Sequence, residues 1–98
     1  MDKYIITEKG IDYLNLHNPD SEISGVLITV ENMMHRMGYC PSGFIPASDK
    51  FIKSLEDDGL IMSELSGKFK SIDKEDRNLI EIDGKRFGFQ EYMRKIGR

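Results

Sequence analysis

The sequence predicts one small α+β domain, with a three-helix core followed by a β-hairpin and a short C-terminal helix. Three observations carry that reading. The chain has 98 residues, enough for one hydrophobic core and too few for two. Within residues 23–37, Ile23, Val26, Leu27, Val30, Met33, Met34 and Met37 form an i, i+3, i+4, i+7 stripe, the signature of a helix with one buried face. Near the C-terminus, Asp83-Gly84 separates two runs of alternating polarity, and Asp-Gly is a favoured two-residue hairpin loop.

Taken in order, Tyr4-Ile5-Ile6 is a β-prone run that ends at Thr7. Thr7 can cap a helix over residues 8–16, with Glu8 in its first turn, Ile11, Leu14 and Tyr13 as apolar positions, and Gly10 weakening it. Asn18-Pro19-Asp20-Ser21 stops that helix and caps the next, which runs to about Met37 with Gly38 as its left-handed terminator. The three methionines of its stripe could form an adaptable docking face, but at core spacing they read as packing. Residues 39–46, rich in Pro and Gly, read as a loop; Phe44 and Ile45 either fold onto the core, the reading taken here, or belong to a contact site.

A third helix is expected over residues 47–58, with Pro46 near its first turn or Ser48 as N-cap. Phe51, Ile52 and Leu55 would be its buried positions, and Gly59 would stop it. Leu60-Ile61-Met62 starts an extended segment, Ser66-Gly67 interrupts it, and residues 68–72 can return as a second strand. Residues 73–77 are a charge run that reads as a solvated turn. Because a two-residue loop fixes register, Ile80 should face Phe87 on one side of the hairpin and Glu81 should face Arg86 on the other. Residues 90–96 form the terminal helix, with Phe89, Tyr92, Met93 and Ile96 to bury.

Composition narrows the function classes. The apolar share of 39% and charged share of 32% suit a folded domain, and no linker, repeat or low-complexity tract interrupts it. A net charge of −3 is unfavourable for coating nucleic acid. Residues 1–48 hold three basic against six acidic side chains, whereas residues 49–98 hold eleven of each, so a local basic surface in the second half is compatible with the total. The single cysteine, Cys40, cannot form an intramolecular disulfide and fits a reducing, cytoplasmic setting. The opening residues lack a signal-peptide apolar region, and no stretch approaches the ~20 apolar residues of a membrane span.

No catalytic or cofactor pattern is found in the sequence. His17, His35 and Cys40 do not have zinc-ligand spacing, so no metal site is expected. Ser66-Gly67-Lys68-Phe69 is similar to the end of a phosphate-binding loop, but Met62 stands where its first glycine is required and Phe69 where Ser or Thr is required. The carboxylates fall in charged, wet segments unsuited to pKa tuning for acid–base work. The sequence therefore predicts a protein that is not an enzyme and carries no cofactor.

One resemblance can be drawn. The stretch from Phe51 to Ile61, with Leu55, Gly59, Leu60 and Ile61 in a Leu-x-x-x-Gly-Leu-Ile pattern, resembles the end of the recognition helix and the start of the first wing strand in winged-helix domains. The order of three helices and then a hairpin wing is also theirs. The stretch from Tyr4 to Leu14 is similar to a strand-then-helix phrase of the same superfamily, where it usually follows the wing. The resemblance implies a single winged-helix-like domain over residues 1–98 and a DNA-binding regulator of transcription. In that role Ser48, Lys50, Lys53 and Ser54 would meet the groove, Lys68, Lys70, Lys85 and Arg86 would position phosphates, and Arg94, Lys95 and Arg98 would extend the patch.

Against it, the third helix carries Asp49, Glu56, Asp57 and Asp58, and residues 37–46 are longer than a tight helix-turn-helix connection. The alternative is a protein-interaction adaptor or inhibitor on the same scaffold, using the 39–45 loop or an exposed sheet edge. A homodimer fits either reading. The feature that separates them is spatial: cations converging on one face favour DNA, and carboxylates interleaved among them favour the adaptor.

Overall fold

The computed structural model describes residues 2–16, 21–74 and 78–96. The Asn18-Pro19-Asp20 break, His17, residues 75–77 of the charge run and Arg98 lie outside the described residues. The described residues form a mixed α+β structure with two small antiparallel sheets.

Strand β1 (Lys3–Ile6) leads into helix α1 (Glu8–Leu16) through Thr7. The Thr7 hydroxyl accepts the Gly10 N–H at 3.0 Å, as an N-cap should, and donates to the Gly59 carbonyl 52 residues away. Helix α2 (Glu22–Met37) starts at Ser21, whose hydroxyl accepts the Ser24 N–H, and ends at Gly38 with φ of 81°. Its buried face holds Val26, Leu27, Val30 and Met34, so the methionine stripe is packing at Met34, while Met33 and Met37 are half-buried.

A two-residue strand β2 (Cys40–Pro41) and a 3-10 turn (Ser42–Phe44) follow. Helix α3 (Asp49–Asp57) is capped by Ser48, not started by Pro46, and buries Ile52 and Leu55. Gly59, at φ of 75°, turns the chain into β3 (Ile61–Ser63). After a second 3-10 turn (Glu64–Ser66) come β4 (Phe69–Ser71), β5 (Leu79–Ile82), β6 (Lys85–Gly88) and helix α4 (Phe89–Lys95).

In the first sheet the order is β2-β1-β3, so β1 is central. Three consecutive buried residues in it, Tyr4, Ile5 and Ile6, require cover on both faces, as a central strand does. The ladder of β1 extends beyond the end of short β2 through side chains. The Ile6 N–H meets the Met34 sulfur at 3.0 Å, and the Tyr92 hydroxyl donates to the Ile6 carbonyl, which ties α4 to β1. The second sheet has the order β4-β5-β6, with Ile80 opposite Phe87 and Glu81 opposite Arg86, the register expected from the Asp83-Gly84 loop. Both loop residues have positive φ, 53° and 80°, the conformation of a type I′ turn. One core unites the two sheets: Phe69 and Ile80 of the second are as buried as Ile5 and Ile6 of the first.

Segments 61–63 and 68–72 do not pair with each other. β3 joins β1 in the first sheet, and β4 joins β5 in the second. Among the described residues, no helix is long and apolar enough to cross a membrane.

Candidate functional site

The ten side chains expected to meet nucleic acid are distributed over α3 and its cap, strands β4 and β6 with Lys68 just before β4, and α4. On α3, Lys50, Lys53 and Ser54 are exposed, but the Ser48 hydroxyl accepts the Phe51 N–H at 3.3 Å and serves as the cap. The same surface exposes Asp49, Asp57 and Asp58, so two lysines stand among four carboxylates once Glu56 is counted. Glu56 is half-buried, and its carboxyl is raised above the usual carboxylate range by burial, then by Asp57 and Asp2, while Lys53 and Lys68 oppose the shift. Tyr4 is raised for related reasons, burial first and then the charges of Glu56, Asp2 and Asp49, with a hydrogen bond from Ser63 pulling the other way.

On the second sheet, pairing partners share a face. Phe69, Ile80, Ile82 and Phe87 lie on the side turned toward the core, whereas Lys70, Glu81 and Arg86 form one row across β4, β5 and β6 on the other. Glu81 is therefore flanked by two cations, and its carboxylate lies 3.5 Å from the Lys70 ammonium. On α4, Arg94 is exposed, and the Lys95 ammonium sits over the Phe87 ring, 4.7 Å from its centre.

Two adjoining clefts draw some of these residues together. The larger, about 260 Å³, has Met62, Ile82, Phe87, Tyr92 and Ile96 in its walls and Glu8, Asp83, Lys85 and Lys95 with them. The smaller, about 120 Å³, is lined by Glu56, Gly59, Ile61, Ser63, Ser66 and Lys68, and both include Thr7 and Met62. Lys68 is thus brought to the end of α3, and Lys85 to Lys95, whereas Lys50, Ser54, Arg86 and Arg94 line neither cleft.

A third, polar cleft of about 350 Å³ lies between the end of α2 and the start of α4, with His35, Arg36, Asn78 and Gln90 in its walls. Among the described residues, no group of three or more His, Cys, Asp or Glu is placed to hold a metal ion. Cys40 is fully buried, and burial pushes its thiol up to about 11, which removes the thiolate a nucleophile would need.

The 39–45 loop divides between the two expectations for it: Ile45 is in the core, but Phe44 is 58% exposed. Leu65, in the turn after β3, is 77% exposed. Both turns leave the same end of the first sheet, because Lys3 pairs with Pro41 on one side and Tyr4 with Ser63 on the other. The sequence marks Tyr92 and Ile96 as residues to bury and Phe87 as the partner of Ile80, but nothing in it singles out Met62 or Leu65. Met62 reaches the larger cleft, beside Phe87, Tyr92 and Ile96, because β3 joins β1, a pairing of residues more than 50 apart with no local signal.

Comparison of the chain with protein-family models, with curated proteins and with solved structures finds no match in any of the three.

Proposed function

We propose that this chain is a non-enzymatic protein-interaction module on a winged-helix-like scaffold, and that its partner is a protein and not DNA. The observation that carries the reading is the interleaving of charge. Glu56 lies among Lys53 and Lys68, Glu81 stands between Lys70 and Arg86, and Asp49, Asp57 and Asp58 share the exposed surface of α3. A helix laid into the major groove with such a surface would set carboxylates against phosphates, and the lysines beside them would not offset that repulsion. Exposed Phe44 and Leu65 add apolar contact of the kind that suits a protein surface.

The scaffold assignment is supported by the way the two winged-helix-like segments meet. Ile6 pairs with Ile61, Thr7 N–H donates to the Leu60 carbonyl at 3.1 Å, and Gly10 lies against that same carbonyl. The strand-then-helix phrase thus lies beside the strand that leaves α3, although it stands before the helices in the chain. A cytoplasmic setting accords with the buried free thiol.

Affinity capture from nuclease-treated extract of the source cells, followed by titration of the purified partner, tests the reading. A stoichiometric protein partner that binds the isolated chain supports it. Retention that depends on nucleic acid, and disappears with nuclease, overturns it.

A further inference from the structure

We propose that the open edge of β6 takes up an extended, acidic segment of a protein partner as an added β-strand, with a carboxylate of that segment set against Arg86. This rests on the protein-interaction reading above and names its site. β6 lies at one end of the β4-β5-β6 sheet and pairs with β5 on one side only within it. The opposite edge is occupied: on β4, the Ser71 N–H donates to the Glu64 carboxylate and Phe69 is buried. Along β6, Lys85 and Arg86 are exposed and Phe87 and Gly88 are half-buried.

The direction of the main-chain groups follows from the ladder. In an antiparallel pair, facing residues alternate between pairs that exchange N–H···O bonds and pairs that do not, and the latter turn their N–H and C=O outward. The Phe89 N–H donates to the Asn78 carbonyl at 3.2 Å, which fixes the phase: Phe87 with Ile80 and Lys85 with Ile82 are bonded pairs, whereas Arg86 with Glu81 and Gly88 with Leu79 are not. The far side of β5 agrees, because the Leu79 carbonyl accepts from the Ile72 N–H and the Asp83 N–H donates to the Lys68 carbonyl. Arg86 therefore turns both its N–H and its C=O to the open edge. Gly88 adds its N–H, its carbonyl being taken by the first turn of α4, which it caps. An added strand finds there two donors with an acceptor between them. A phosphate backbone, which carries no donor, would leave the Arg86 carbonyl unmatched.

Charge decides which strand is accepted. A residue that pairs with Arg86 places its side chain on the outer face, in the row Lys70, Glu81, Arg86. Glu81 lies within 3.5 Å of Lys70, so a carboxylate beyond Arg86 would complete a row of alternating sign. The neighbours of that residue fall on the other face, beside Lys85 and Phe87, where Glu8 and Asp83 share the larger cleft with Lys85 and Lys95. Arg86 is therefore the stronger determinant. A second copy of this chain is the poorer occupant: centred on Arg86, two β6 strands would set guanidinium against guanidinium, and centred on Phe87 they would call on the Gly88 carbonyl that α4 already uses.

The test selects from a displayed library of random twelve-residue peptides on the intact protein, then measures the enriched peptides by fluorescence anisotropy and the protein's amides by hydrogen exchange. Enriched peptides are expected to be acidic and to bind more weakly as salt rises. Arg86→Glu should weaken their binding about tenfold or more, and Lys50→Glu, on the exposed surface of α3, should change it less than about threefold. Exchange at the Arg86 and Gly88 amides should slow by about tenfold or more on binding and that at Phe87, already bonded to Ile80, should change less, an alternation that side-chain docking alone would not produce. Failure to enrich any peptide, indifference to Arg86→Glu, or unchanged exchange at Arg86 overturns the strand site. Self-association of the chain through β6 without peptide overturns it as well, by giving the edge to a second copy. Peptides that bind elsewhere remove this site and leave the protein-interaction reading standing, whereas that reading falls only with its own capture experiment.

Discussion

At Gly10, the absence of a side chain lets α1 pass over the strand that leaves α3. A Cβ there would lie 2.3 Å from the Leu60 carbonyl oxygen and 2.7 Å from an Ile6 side-chain carbon. Gly10→Ala is expected to destabilise the fold by about 1–2 kcal/mol in urea unfolding, because the overpacking cost exceeds the gain of about 1 kcal/mol from helix propensity. Gly25, exposed on α2 with nothing within 4 Å of its would-be Cβ, gives the opposite result. Gly25→Ala should stabilise by about 0.5–1 kcal/mol. From the sequence Gly10 looks like a helix weakness, and only the approach of Leu60 shows why a glycine stands there.

Tyr92 is a second residue whose role depends on a distant partner. Its hydroxyl donates to the Ile6 carbonyl, and burial raises the phenol above its usual range. Tyr92→Phe leaves a buried carbonyl without that donor and should cost about 1–2 kcal/mol, read in the same unfolding experiment. The buried thiol and phenol also set an alkaline limit. Both have folded-state pKa values raised above the unfolded ones, so the stability they contribute is intact at neutral pH and is lost as pH rises. For Cys40 that loss runs from 9.0 toward about 11. A melting temperature that holds to about pH 8 and falls between about pH 9 and 11 is the expected profile. At neutral pH, iodoacetamide should modify Cys40 only when the chain unfolds.

Among the elements, those dictated by local chemistry were legible. The Asp83-Gly84 loop fixed the pairing of β5 with β6, and Ser21, Ser48, Gly38 and Gly59 marked the helix ends. β2 was not legible, because Cys40-Pro41 reads as loop. Proline fits there because β2 lies at the edge of its sheet, where a missing N–H costs no ladder bond. The choice of β1 as partner for β3 was equally hidden, since it depends on a closure of more than 50 residues.

Much of the candidate site lies at that hidden junction, which is why charge could be assigned to elements from the sequence but not to faces. The row Lys70, Glu81, Arg86 offers a direct test at this scale. Glu81→Lys would place three like charges side by side and should destabilise by about 0.5–1 kcal/mol, an effect that shrinks as salt is added.

At the scale of the whole molecule, two sheets and the helices share one core, with a radius of gyration of 12.4 Å, close to the roughly 13 Å of a 100-residue domain. Among the described residues, carboxylates stand beside the cations on α3, at Asp49, Glu56, Asp57 and Asp58, and on the second sheet, at Glu81 between Lys70 and Arg86. That distribution underlies the proposal of a protein partner, and it has a consequence that can be measured without knowing the partner. Fluorescence anisotropy with random duplex DNA, titrated at several salt concentrations, tests it directly. The expected result is no saturable binding even at low salt, for the wild-type chain and for a Lys53→Glu/Arg86→Glu double variant alike. Micromolar binding with a log–log salt slope of several units, at about 0.9 per phosphate contacted, and lost in the double variant, would contradict the account.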